Sequence, residues 1–297
     1  MAVVNSGQWP SVTQKDLSLL FVDQYRGWPS MLPLLYRFKM AEQGTEYDLE
    51  VADFPAVQLF TGSIPFVPIQ EGYKKSVQET QYALGLVVTR QLLRNDLYGA
   101  VRESVRTMAD SFRQLRESQG AFPFVNAFNG SFTTGDGLSL CNSAHTNANG
   151  GANFSNTGSL AFSAPNIQAN RLLMKAFPSN AGNVISNVPD MLLVPMGLED
   201  VAYEVLESMG KVDTALNNRN YSEGRYKLVV WDNFLTSSTN WFLINSQRMQ
   251  RELIFREWEK TSFMRSGEFD TLATKWAGYT SFGISSVEPR WIYGSSN

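Results

Sequence analysis

One cysteine, Cys141, and one histidine, His145, stand in a chain of 297 residues. A lone cysteine excludes an intramolecular disulfide framework. With only one histidine beside it, zinc sites built from clustered Cys and His are excluded too. No apolar run approaches the ~18 residues that a bilayer span needs, and no charged stretch followed by an apolar core opens the chain. These absences predict a soluble protein made inside the cell, with no membrane partner. Charge is also scarce: charged residues make up 18% of the chain, against roughly 25% in ordinary soluble domains. A net charge of −3 and a pI near 5.4 lack the basic footprint of a dedicated nucleic-acid binder. Gly130, Gly135 and Gly137 are not followed by the helix that a phosphate-binding loop requires. Glu199 and Asp200 are expected to open a helix and complement its dipole rather than work as a catalytic pair. Nothing in the pattern calls for a cofactor or a metal.

Aromatics are plentiful, at 12%, and one stretch, 44–120, stands out. Tyr47, Leu49 and Val51 alternate with Glu46, Asp48 and Glu50, the period of a half-buried strand. A second alternation, Tyr82, Leu84, Leu86 and Val88, offers a returning partner. Between the two lie Phe54, Val57, Leu59, Phe60, Ile64, Phe66, Val67 and Ile69, broken by Pro55, Pro65 and Pro68. Each proline removes a backbone donor and disfavours a central strand. The segment is too apolar for a solvated loop, so it is expected to bury its hydrophobic side, either against another subunit or back over its own core.

From 89 to 119 the period changes. Leu93, Leu97, Val101, Val105, Met108, Phe112 and Leu115 recur at spacings of three and four, one stripe of a helix on the order of 40 Å long. Gly120 and Pro123 are expected to end it. Its other faces carry Arg94, Arg102, Glu103, Arg106, Asp110, Arg113, Arg116 and Glu117. Those arginines either form a solvated face or meet an acidic neighbour or DNA.

Ahead of this stretch, 1–43 reads as an arm with a short helix near Gln14 to Gln24. Behind it, 129–158 is rich in Asn, Gly, Ser and Thr and predicts turns and irregular loop. A helix follows, capped by Ser163 with Pro165 in its first turn, its apolar positions Ile167, Leu172, Leu173 and Phe177. Met191 to Val194, Leu228 to Trp231 and Trp241 to Ile244 read as buried strands. A helix with Leu198, Val201, Ala202, Val205 and Met209 on one face lies among them. Leu253 to Phe255, an alternation from Leu272 to Ile284, and Arg290 to Tyr293 make a strand-rich C-terminus.

Taken in order, four stretches resemble one family. They are Tyr82-Ala83-Leu84-Gly85-Leu86 leading to Thr89-Arg90-Gln91-Leu92-Leu93-Arg94-Asn95-Asp96, and Asp136-Gly137-Leu138-Ser139-Leu140 ahead of Ser143-Ala144-His145. The others are Pro189-Asp190-Met191-Leu192-Leu193-Val194-Pro195 with Leu198, Glu199 and Ala202, and the closing Arg290-Trp291-Ile292-Tyr293-Gly294. With the order of arm, hairpin and long helix, they resemble the tailed-phage major capsid proteins of the Hong-Kong-97-like fold, in particular the Mu-like head subunits. The resemblance implies an α+β fold in five parts. These are an N-terminal arm (1–43), an E-loop hairpin (44–81) and a peripheral domain with the spine helix (82–128). An axial domain (129–245) and the C-terminal strands of the peripheral domain (246–297) complete it.

The resemblance further implies a structural major head protein, not an enzyme. It would self-assemble through hexamers and pentamers into an icosahedral shell around the double-stranded DNA of a tailed phage or prophage. The protein would reside in the virion after assembly in the host cytoplasm. Implied inter-subunit contacts are Phe54, Val57, Leu59, Phe60, Ile64, Phe66 and Ile69, with Arg94 and Arg102. Implied partners are further copies of the chain, a separate scaffold protein, a portal, a decoration protein and, non-specifically, the packaged DNA. His145 would sit on a surface loop; Lys74 and Lys75 lie near the hairpin, but no motif marks a cross-linking partner. Three alternatives stay open: an encapsulin-like nanocompartment, a cysteine-type hydrolase resting on Cys141 and His145, and a carbohydrate-binding module using Trp276, Tyr279 and Trp291.

Overall fold

The computed structural model describes residues 9–60, 62–89, 98–208, 220, 222–232, 235–267 and 273–297. Its first half runs α1 (Trp9–Arg26), α2 (Leu32–Leu35), β1 (Arg37–Met40), β2 (Thr45–Val51), β3 (Glu71–Gln78), β4 (Thr80–Thr89) and α3 (Tyr98–Val125). Then come β5 (Thr157–Gly158), α4 (Ala164–Lys175), β6 (Met191–Val194), a 3-10 turn at Met196–Leu198, and α5 (Glu199–Glu207). The chain closes with β7 (Lys227–Val230), β8 (Trp241–Ile244), α6 (Ser246–Glu252), β9 (Leu253–Gly267), β10 (Ala273–Ser286) and β11 (Ile292–Ser295). Among the described residues, no helix is long and apolar enough to cross a membrane.

The first lobe is a four-stranded sheet, β1-β9-β10-β4, with α3 laid on one face. Val101, Val105, Met108 and Phe112 are buried where their spacing predicts, against Trp276 of β10 and against Leu17 and Phe21 of α1. Leu93, Leu97 and Arg94 lie outside the described residues. Helix and sheet approach so closely at Gly278 that a Cβ there would collide with the Phe112 ring. The N-terminal helix is longer than expected and docks on α3, where Gln24 donates to Asp110 at 3.1 Å.

Gly120 and Pro123 do not end α3, which continues to Val125. Packing overrides propensity here. Ala121 and Phe124 are buried in the central cluster, and Phe124 meets Trp231, Phe242 and Trp291 edge to face. Gly120 is required because a Cβ would overlap Leu32, and its carbonyl accepts the buried Tyr36 hydroxyl at 2.5 Å.

The second lobe is a five-stranded sheet, β5-β11-β8-β6-β7. All four residues of β6 and of β8 are buried, as continuous apolar runs predict. β11 pairs with β8 and β5, so the last strand returns to this lobe, although the expected boundary at 246 assigns it to the other. On α4, Ile167, Asn170 and Met174 face the core, whereas Leu172 and Leu173 are exposed. The reason is angular: at 100° per residue, 172 and 173 lie away from the 167/170/174 stripe. Ser163 precedes α4 without a side-chain cap bond. On α5, Ala202, Val205 and Leu206 are buried and Val201 is exposed; Met209 lies outside the described residues.

The 129–158 segment is irregular, as its composition predicts, but it is packed rather than solvated. Asn side chains replace sheet hydrogen bonds: Asn156 accepts from the Asn142 N–H at 2.8 Å and donates to the Leu140 carbonyl at 2.9 Å. His145 is fully buried, not on a surface loop; it pairs through its backbone with Phe154, and its Nδ1 lies 2.7 Å from Asp136.

A separate two-stranded ribbon, β2-β3, stands apart from both sheets in strand order. The returning partner of β2 is β3, not the Tyr82 to Val88 strand, which pairs antiparallel with β10. The Glu71–Gln78 strand carries two adjacent lysines and weak alternation, so period alone does not reveal it.

Candidate assembly surface

The alternation in β2 marks a strand, but its faces are reversed. Asp48 and Glu50 turn inward, 7% and 8% exposed, while Tyr47, Leu49 and Val51 face out. Carboxylates can be buried only with partners, and the body supplies two guanidiniums. Arg256 of β9 binds Glu46 at 2.8 Å and pairs with Asp48, which also accepts from Ser285 at 2.5 Å. Arg290, itself buried, lies 3.5 Å from Glu50 and 2.9 Å from Glu288, and donates to Asn180 at 2.8 Å, to Asn147, and to the Pro178 carbonyl at 2.8 Å. Asn180 in turn donates to Glu50 at 2.6 Å.

The β3 side of the root is tied as well. Tyr73 and Thr146 hydroxyls lie 2.7 Å apart, and Lys75 bonds the Thr133 carbonyl and caps the Phe132 ring at 4.6 Å. Burial lowers the Lys75 ammonium to about 8 against the opposing pull of Asp136 and Asp48. Burial acts to raise Asp136, but hydrogen bonds from His145 and Thr134 outweigh it and hold the carboxyl at about 2. The ribbon is thus fixed at its root by polar groups, with its apolar face left over.

That face continues into 52–70, whose described residues form no helix or strand, as its prolines require. Phe54, Val57, Leu59, Phe60, Ile64, Phe66 and Ile69 are all exposed, Phe66 at 91%. Of the two readings of this segment, the exposure favours burial against another subunit over burial on its own core. Exposed apolar surfaces of this kind are characteristic of protein interaction sites. Arg102 is exposed on α3, at the edge of the buried stripe; Arg94 lies outside the described residues. Arg106 pairs with Glu103 at 3.2 Å, and Arg116 is taken up within the chain by Glu257 at 2.6 Å.

No hydrolytic site forms around Cys141. Its thiol is buried, burial pushes its pKa up, and the His145 ring is engaged by Asp136. Trp276 and Trp291 are buried too, so they form no sugar-binding platform. Sequence reasoning missed Asp48, Glu50, Arg256 and Arg290. The available signal was the strict acidic alternation in β2, which an outward polar face would not need.

The architecture is the Hong-Kong-97-type fold of virus shells. It is similar to the virus-like particle of Pyrococcus furiosus, at TM-score 0.55 and 10% identity over 95% of this chain and 98% of that one. The capsid of cyanophage P-SCSP1u is similar at TM-score 0.57 and 9% identity over 90% and 88%. The procapsid of bacteriophage JBD30 is similar at TM-score 0.53 and 12% identity over 98% and 75%. No curated protein matches the chain by sequence. The chain belongs to the phage capsid protein family, whose model matches residues 72–295. It is accordingly a major capsid shell protein, a structural role, and the nanocompartment alternative is not favoured.

Proposed function

We propose that this chain builds an icosahedral shell around double-stranded DNA from hexamers and pentamers, with 44–81 as an arm laid over the next subunit. The reversed β2 carries this reading: its polar side is satisfied within the chain, while its apolar side and the 52–70 tip are left exposed, as a surface for another copy would be. In this arrangement the α3 lobe is peripheral, the five-stranded lobe is axial, and exposed Arg102 faces a neighbour or the packaged DNA. A separate scaffold protein, a portal and a decoration protein are its expected partners, with assembly in the host cytoplasm before packaging.

The test is Phe54→Asp combined with Phe60→Asp, imaged by negative-stain electron microscopy beside wild type, alone and with a co-expressed scaffold. Shells or capsomers of the wild type, and a folded unassembled variant with an unchanged circular dichroism spectrum, are expected. Loss of soluble folded protein would instead place the hairpin in the subunit's own core. Wild type that stays monomeric under both conditions would overturn the reading.

A further inference from the structure

Three carboxylates and two guanidiniums meet where the hairpin joins the body. Glu50 comes from β2, Glu252 from the end of α6, and Glu288 from the turn after β10. Arg290 lies 2.9 Å from Glu288 and 3.5 Å from Glu50, and Arg248 lies 3.8 Å from Glu288. Glu252 accepts a hydrogen bond from the Glu288 backbone N–H and feels the Glu288 and Glu50 charges, with Arg248 opposing. The other partners of Glu50 are neutral: Asn180 at 2.6 Å and the Tyr73 N–H at 3.2 Å. Neighbouring charges along the ribbon are already matched, Arg256 and Lys39 on Asp48 and Lys75 against Asp48 and Asp136. The cluster is therefore balanced only when it carries one proton.

We infer that this cluster is a proton-dependent latch on the hairpin, closed when Glu252 and Glu288 hold one proton between them and loosened when that proton leaves and their added charge repels Glu50. Burial and the adjacent carboxylates push Glu252 up to about 7, and burial also raises Glu288 despite Arg290, so the proton is held near neutrality. Glu50 is the member that yields. Glu252, Glu288, Arg248 and Arg290 sit beside Met249, Leu253 and Trp291, which are locked in the central core. Glu50 sits on a two-stranded ribbon outside both sheets. Arg290 is thus a positioning residue: it sets the direction in which the apolar tip points. The inference rests on the assembly reading only for its consequence, that hairpin direction, and with it the meeting of subunits, follows protonation.

Amide hydrogen exchange of the full chain at pH 6 and pH 8, corrected for intrinsic rates, tests it at β2 and β3. One group held at about 7 in the closed state predicts an about tenfold loss of protection in these strands between the two pH values. Glu252→Gln, permanently neutral, is expected to show equal protection at both. Should that variant fail to fold, Glu50→Gln balances the cluster without a proton and is expected to lose the pH dependence as well. Unchanged wild-type protection, or a tenfold drop persisting in either folded variant, overturns the latch. Electron microscopy of the same samples reads shell formation separately, so failure of assembly and failure of the latch are told apart.

Discussion

Arg290 is buried with Glu288 at 2.9 Å and Glu50 at 3.5 Å, so Arg290→Met would leave these carboxylates with only Arg248, 3.8 Å from Glu288, as counter-charge. Removing one partner of such a cluster costs about 3–5 kcal/mol, and urea denaturation at pH 7.5 should show a loss of that order. The stranded carboxylates can take up protons, so the loss should shrink toward pH 5; an equal loss at both would mean that shape, not charge, is what Arg290 contributes.

The wild type has its own pH dependence. Asp136 is held at about 2 in the fold, below its ordinary value, so its stabilisation is present above pH ~4 and lost as pH falls toward 2. Glu252 is raised to about 7, so its stabilisation is present below pH ~4.5 and lost as pH rises toward 7. These opposing limbs place their joint optimum near pH 4 to 5. A urea midpoint higher at pH 5 than at pH 7.5 is expected, and Glu252→Gln should flatten that alkaline limb.

On the helix scale, α4 separates apolar residues that hold the fold from those that do not. Met174 is fully buried and Leu172 is exposed. Met174→Ala should cost about 2–4 kcal/mol through the cavity it leaves, while Leu172→Ala should stay within about 0.5 kcal/mol. Equal losses in denaturant melts would contradict this placement of the helix face. Leu172 and Leu173, apolar positions of this helix, show where composition alone does not give burial: Leu172 lies on the far side from Ile167 and Met174, and Leu173 on the flank of their stripe. The α3 stripe and the β6 and β8 strands were legible because length and period agree with burial there. The end of α3 was not, because Gly120 and Pro123 are local stop signals overruled by Leu32, Tyr36 and Trp231, which arrive from distant chain positions. The candidate site divides the same way. Its tip was legible from apolar residues among prolines, whereas the facing of β2 depends on Arg256 and Arg290, over 200 residues away.

Across the whole molecule, polar root and apolar tip do different work. The root contacts are satisfied inside one subunit, so they fix direction without needing a neighbour. The tip presents Phe54, Val57, Leu59, Phe60, Ile64, Phe66 and Ile69 with only Asp53 as a charged residue in 52–70, so association through it, as proposed, would be driven by apolar burial. Closed symmetry repeats each such contact many times, and modest interfaces then suffice for a stable shell. Apolar burial weakens on cooling and strengthens in sulfate. Assembly followed by light scattering should therefore have a critical concentration that falls between 5 and 25 °C, and falls again on adding ammonium sulfate. An ion-pair interface would respond oppositely to added sodium chloride, through screening. Assembly that weakens steeply with sodium chloride and ignores temperature would move the decisive contacts from the hairpin tip to charged residues such as Arg102.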